Sequence, residues 1–158
     1  MKPRMTRVIV LEGADASGKT ALAEELLLDY PEDMTVYIHN DASDAKLPGS
    51  LYRHYKAQLL DALDRRETIT VIDRSFLSEW VYGTTYRGKA RISRRQARKL
   101  SKWALKNGVE FIGMRAGTDV RYERMRERGE NFDLFYELQV QRRFRDFFRD
   151  AGWTTVRS

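Results

Sequence analysis

The chain has 158 residues, the size of one domain, since domains commonly run about 100–200 residues. It contains no cysteine, which excludes disulfides, thiolate-bound zinc, iron–sulfur clusters and cysteine nucleophiles, and its two histidines speak against a histidine-built metal centre. Residues 1–78 carry 10 basic and 13 acidic side chains, residues 79–158 carry 19 and 10, and 21 of the 29 basic residues are arginine. Such a basic C-terminal half fits phosphate-rich partners, nucleotides or nucleic acid, or a plainly solvated surface.

No run approaches the ~18 apolar residues of a membrane span. The apolar stretch behind the basic N-terminus is too short for a signal-peptide core of ~7–15 residues. The expectation is a cytoplasmic chain with no membrane partner. Neither repeats nor linkers divide it, so residues 1–158 read as a single domain.

The run VIVL at 8–11 is β-branched and apolar throughout, as a parallel strand buried on both faces should be. Small residues at 13–18 form a loop, and 21–28 reads as a helix stopped by Asp29-Tyr30-Pro31. A second strand is expected at 35–38. Apolar residues at 51, 55, 59, 60 and 63 predict a helix over 51–63, and 68–72 reads as a third strand. A helix over 76–82 follows. Ser93 and Gln96 make a capping box that opens another, ending at Asn107-Gly108. A fourth strand is expected at 109–114, a short charged helix at 119–128, and a long helix at 133–149. Phe135, Leu138, Phe144, Phe147 and Phe148 read as the apolar side of that long helix. A last short strand fits 154–156. Strands alternating with helices predict an α/β fold: a five-stranded, mostly parallel sheet with helices on both faces.

The sequence LEGADASGKT contains G-x-x-x-x-G-K-T from Gly13 to Thr20, between a buried strand and a helix. That is the context a P-loop requires. Backbone N–H groups of Gly13, Ala14, Asp15, Ala16, Ser17 and Gly18 would cradle phosphate oxygens, with the helix dipole behind them. Lys19 would reach the β- and γ-phosphates of ATP, and the Thr20 hydroxyl would ligate Mg²⁺. No N-K-x-D base-reading motif of GTPases occurs. One P-loop in a chain this short leaves small kinases as the readiest class.

A second signal is VIDRSFLS at 71–78, an Asp-Arg pair where a buried strand ends. Together with the loop it resembles the thymidylate kinase group of P-loop kinases and their deoxynucleoside kinase relatives. Glu12, Gly13, Asp15, Gly18, Lys19 and Thr20 match the group's E-G-x-D-x-x-G-K-[ST]. Asp73, Arg74 and Ser78 match its D-R-Y-x-x-S, with Ser75 in place of the Tyr, closer to the E-R-S of deoxynucleoside kinases. The segment 46–50 is faintly similar to R-x-P-G-G-T, and 119–131 looks like an arginine-rich lid.

The resemblance implies the following roles. Arg74 would clamp an acceptor phosphate, Asp73 would order Mg²⁺, and Asp15 would bind the deoxyribose. Arg124, Arg126 and Arg128 would supply lid cations. Phe76 and Ser78 fall where the acceptor would lie. Apart from the resemblance, Phe76, Trp80, Tyr82 and Tyr86 could include a base-stacking residue, though their helical spacing suits plain packing equally. The implied activity is ATP- and Mg²⁺-dependent phosphorylation of a deoxynucleoside monophosphate. The alternative is a hydroxyl acceptor: a deoxynucleoside, a polynucleotide end or a hydroxymethylpyrimidine in DNA. It would use Asp41, after the second strand, as base. DNA as acceptor and a homodimer stay open at this point. His39 and His54 read as structural, and the phenylalanines of the long helix read as core.

Overall fold

The computed structural model describes residues 5–158; the first four residues of the basic start lie outside the described set. Five strands build one sheet: β1 (Arg7–Glu12), β2 (Thr35–His39), β3 (Ile69–Asp73), β4 (Glu110–Arg115) and β5 (Thr154–Arg157). Their spatial order is β2-β3-β1-β4-β5, and every neighbouring pair is parallel. Six helices connect them: α1 (Lys19–Leu28), α2 (Leu51–Asp64), α3 (Phe76–Tyr86), α4 (Arg94–Lys106), α5 (Thr118–Glu127) and α6 (Leu134–Ala151). Two 3₁₀ turns, Glu32–Met34 and Ala42–Lys46, interrupt segments that sequence reading leaves as loop.

The central strands carry apolar residues on both faces, Val8 to Leu11 in β1 and Val71 and Ile72 in β3, because both faces are covered. Val8, Val10, Ile72 and Phe111 point into the larger core, together with residues of α2, α3, α4 and α6. Ile9, Leu11 and Val71 alternate to the other face, where Ala23, Leu22 and Leu26 of α1 cover them. Trp153 closes the larger core, stacked on Phe111 at 4.2 Å, its indole N–H donating to Ser101 Oγ at 2.7 Å. Truncating a buried phenylalanine of this cluster to alanine costs roughly 3–5 kcal/mol.

Helix α4 starts as its sequence dictates. Ser93 Oγ accepts from the Gln96 N–H (3.1 Å) and the Gln96 side chain accepts from the Ser93 N–H (3.0 Å), closing the capping box. Helix α6 departs from expectation. Val140, Phe144, Phe147 and Phe148 are buried, but Phe135 is 69% exposed and Leu138 is 49% exposed. At about 100° per residue, positions 135 and 138 fall on the side opposite Phe144. Glu137, not an apolar residue, takes the core-facing place in the first turn, with 2% exposure.

Candidate active site

In an open parallel sheet, ligands bind where neighbouring strands connect away in opposite directions. Here β1 lies between β3 and β4, and the loop 13–18 leaves its C-terminal end. A cleft of about 670 Å³ opens there, with Lys19, Thr20, Asp73, Arg74, Arg124 and Arg128 in its wall.

The loop depends on glycine at its two ends. Gly13 has φ 156°, and a Cβ there would sit 2.7 Å from the Met114 carbonyl oxygen; Gly18 has φ 95°. Between them Ala16 also takes a positive φ, 62°. Lys19 folds over the loop, its Nζ donating to the carbonyls of Gly13 (2.8 Å) and Ala14 (3.1 Å). Burial pushes its pKa down, against the pull of Asp15, Asp73 and Glu12.

Asp73 ends β3 fully buried. Its Oδ2 accepts from Thr20 Oγ1 (3.0 Å) and from Tyr37 Oη (2.6 Å), with His39 Nδ1 at 3.4 Å. Its Oδ1 is buried without a hydrogen-bond partner. A buried carboxylate oxygen without a donor suits a cation. Thr20 Oγ1 and Asp73 therefore fit Mg²⁺, which commonly takes one or two protein ligands and completes its shell with substrate phosphates and water. Among the described residues no group of three or more His, Cys, Asp or Glu side chains forms a fuller metal cage.

Arg74 follows with φ 74°. Its N–H donates to the Leu11 carbonyl (2.9 Å), and its own carbonyl accepts from Asn40 Nδ2 (2.8 Å). Those bonds hold the left-handed backbone and turn the side chain into the cleft. The guanidinium lies over the Tyr82 ring at 5.0 Å, and its Nη1 is 4.0 Å from Asp15 Oδ1. The Tyr82 hydroxyl accepts from the Asp15 N–H at 2.8 Å, so loop and α3 are tied at this point.

Helix α5 and its C-cap present Arg121, Arg124 and Arg128 at i, i+3 and i+7. Arg124 Nη1 donates to the Ala16 carbonyl (2.9 Å) and to Ser158 Oγ (3.0 Å). Arg128 is exposed at the cleft, while Arg126 is exposed but outside its wall. Arg121 is fully buried: Nε donates to the Asp15 carbonyl (2.9 Å), Nη1 to Gln141 Oε1 (2.7 Å), and Nη2 pairs with Glu137. Glu137 also accepts from the Tyr86 hydroxyl.

Three expected site residues sit elsewhere. Phe76 is a core side chain, edge-on to Phe111 at 5.8 Å and fully buried, so it cannot touch an acceptor. Ser78 is also buried; its N–H and hydroxyl both donate to Glu12, as does the Ser75 N–H. Glu12 is thus the anchor between β1 and the first turn of α3, and burial pushes its pKa up against these hydrogen bonds. Asp41 is fully exposed and outside the cleft wall. It caps the Ala42–Lys46 turn, accepting from the Ser43 N–H at 2.7 Å and from its hydroxyl, and those bonds pull its pKa down. His39, expected to be structural, also forms part of the cleft wall beside Asp73.

Tyr37, Arg121 and Glu137 escape sequence reading. The i, i+3, i+7 recurrence of arginines in α5 carries a signal for the second. Nothing in the sequence marks Tyr37, whose partner lies across the β2–β3 register.

No family model matches the chain, and no curated protein matches it by sequence. Solved structures do. The YorR protein of Bacillus subtilis, in complex with phosphorylated GDP, superposes with a TM-score of 0.67 at 22% identity, covering 94% of this chain and 83% of its own. Thymidylate kinase from Candida albicans gives 0.59 at 13% identity, covering 98% and 84%. Deoxyadenosine kinase from M. mycoides, with the products dCMP and dCDP bound, gives 0.54 at 12%, covering 94% and 88%. The fold is that of the P-loop nucleotide and nucleoside kinases.

Proposed function

We propose that this chain transfers the γ-phosphoryl group of ATP to the phosphate of a deoxynucleoside monophosphate, dTMP being the simplest case. The observation that carries this reading is the placement of Arg74. Its guanidinium projects into the same cleft as Lys19 and Thr20, beside Asp15 and on the face of Tyr82. A planar fork in that position suits a phosphate held by two parallel hydrogen bonds. Solved structures of the same fold that hold nucleotides, phosphorylated GDP in one and the product dCMP in another, support a nucleoside or nucleotide in this cleft, and Arg74 is what favours the monophosphate.

The loop N–H groups would bind the donor phosphates, with Lys19 at the β- and γ-oxygens. Thr20 and Asp73 would hold Mg²⁺, which when bound neutralises charge on those oxygens. Arg74 would orient the acceptor phosphate, and Arg124 and Arg128 would balance charge that develops during transfer. A monophosphate acceptor is already ionised near neutral pH, so no side chain has to remove a proton. Asp41, outside the cleft and committed to Ser43, offers a hydroxyl acceptor no base there.

The test is a transfer assay with labelled ATP against nucleosides, nucleoside monophosphates and DNA ends. Monophosphates should be preferred. Lys19→Ala should abolish transfer while leaving the fold intact by circular dichroism. Arg74→Lys should lower kcat/KM at least tenfold for the monophosphate, because a point charge cannot replace the fork. Preference for a nucleoside, or an equal Arg74→Lys defect with nucleoside and nucleotide, would refute the monophosphate assignment.

A further inference from the structure

Helix α4 carries a face that the cleft does not use. Arg94, Arg95, Arg98, Lys99, Lys102 and Lys106 are all exposed, and the helix contains no acidic residue. These six cations equal the net charge of the whole chain, +6, so the remaining side chains balance one another. Among the described residues Asp150 alone is paired with one of them, at 2.6 Å from Arg94. A shallow groove of about 390 Å³ runs between α4 and the end of α6; Arg95, Arg98, Lys99 and Lys102 line it, with Asp150 the one acidic side chain in its wall. None of these residues lines the cleft.

A patch of one sign of charge sets up a positive potential that draws polyanions to it. We propose that the exposed face of α4 docks the phosphate backbone of double-stranded nucleic acid. Thirteen residues make a row about 20 Å long, against which a duplex sets one negative charge per ~1.7 Å. Three observations favour a duplex over other occupants. Single-strand sites pair cations with open aromatic rings; here Trp103 and Tyr52 lie beneath the ammonium groups of Lys56 (5.0 Å) and Lys99 (5.8 Å). A membrane-surface helix buries an apolar face in lipid; here Ala97, Leu100 and Ala104 are already buried in the core. A second copy meeting this face across a two-fold axis would set the cations against themselves.

The test is fluorescence anisotropy with a labelled DNA duplex of about 20 base pairs, of arbitrary sequence. Six phosphate contacts give a slope of log affinity on log salt near −5, or roughly a thousandfold loss between about 50 and about 200 mM salt. The charge reversal Arg95→Glu/Arg98→Glu/Lys102→Glu should reduce affinity at least tenfold and roughly halve the slope, with the circular dichroism spectrum unchanged. Should that variant fail to fold, Arg95→Gln/Lys102→Gln, which keeps side-chain length, should flatten the slope by about two. Absence of duplex binding at about 50 mM salt overturns the proposal. So does equal binding by wild type and both variants, which would move the contact to another surface. Binding to phosphatidylserine-containing vesicles without affinity for the duplex also overturns it.

Discussion

Arg74 takes a backbone conformation that costs a non-glycine residue about 1–2 kcal/mol. It persists because neighbouring groups fix it: Leu11 through the N–H and Asn40 through the carbonyl. Asn40 is itself held by two hydrogen bonds with Gln58, at 2.8 and 3.0 Å. Removing a buried partner from such a set costs about 1–3 kcal/mol. Asn40→Ala should therefore lower unfolding free energy by that amount in urea titration. It should also raise the acceptor KM several-fold with ATP affinity unchanged, because the loop that holds ATP is not touched. An equal loss of ATP affinity would mean that Asn40 supports the whole cleft and not Arg74 in particular. At this scale the sequence exposes the loop residues and the Asp-Arg pair, because their spacing is local. It does not expose what positions them. Asn40, Tyr37 and Tyr82 meet their partners only after strands pair and α3 docks. Phe76 and Ser78 were legible as neighbours of Arg74 but not as residues facing inward. Their direction follows from how α3 packs, with Glu12 bonded to its first turn.

The elements themselves were legible wherever apolar periodicity or a cap marked them. The β-branched runs of β1 and β3 and the capping box of α4 announce themselves, and boundaries move by a residue or two, except that α3 runs four residues past its expected end. The start of α6 was legible, but not which face of its first turn is buried, because a buried glutamate occupies the place where an apolar residue is expected. Its partner explains it. Arg121 of α5 and Glu137 of α6 form a buried ion pair with Gln141 and the Asp15 carbonyl as further partners. A buried pair of this kind contributes little net stability when whole, but truncating one member strands the other at a cost of about 3–5 kcal/mol. Arg121→Met should thus destabilise strongly, and Arg121→Met/Glu137→Leu should recover a large part of the loss. The double variant should still bind ATP less well, since the loop would lose its tie at Asp15. Additive losses in the double variant, measured by urea unfolding, would show that the two side chains are not coupled.

Over the whole molecule, the tyrosines set a limit on alkaline stability. Tyr37 is pushed up to about 12, by burial first and then by its hydrogen bond to Asp73. Tyr55, Tyr82 and Tyr86 are also raised, burial leading in each; carboxylates add to the rise, Asp44 at Tyr55, Asp15 at Tyr82 and Glu137 at Tyr86. Unfolded phenols titrate near pKa ~10. Above that pH the unfolded chain releases protons that the native state retains, so the unfolded state binds fewer and unfolding free energy falls as pH rises. Lys19, whose pKa is lowered, acts in the opposite sense: its contribution grows as pH rises, up to the unfolded lysine value of about 10.4. Above that value only the phenols of this set still change, and they set the sign. Urea midpoints measured from pH ~9 to ~12 should turn downward near pH ~10. Phenolate absorbance from these four side chains should develop together with unfolding, and not before it. Tyr37→Phe should make the decline shallower by up to one proton, because it removes one of the groups whose ionisation favours the unfolded chain. A midpoint that stays level through pH ~12, or phenolate absorbance complete while the chain is still folded, would show that these hydroxyls are open to solvent in the native state.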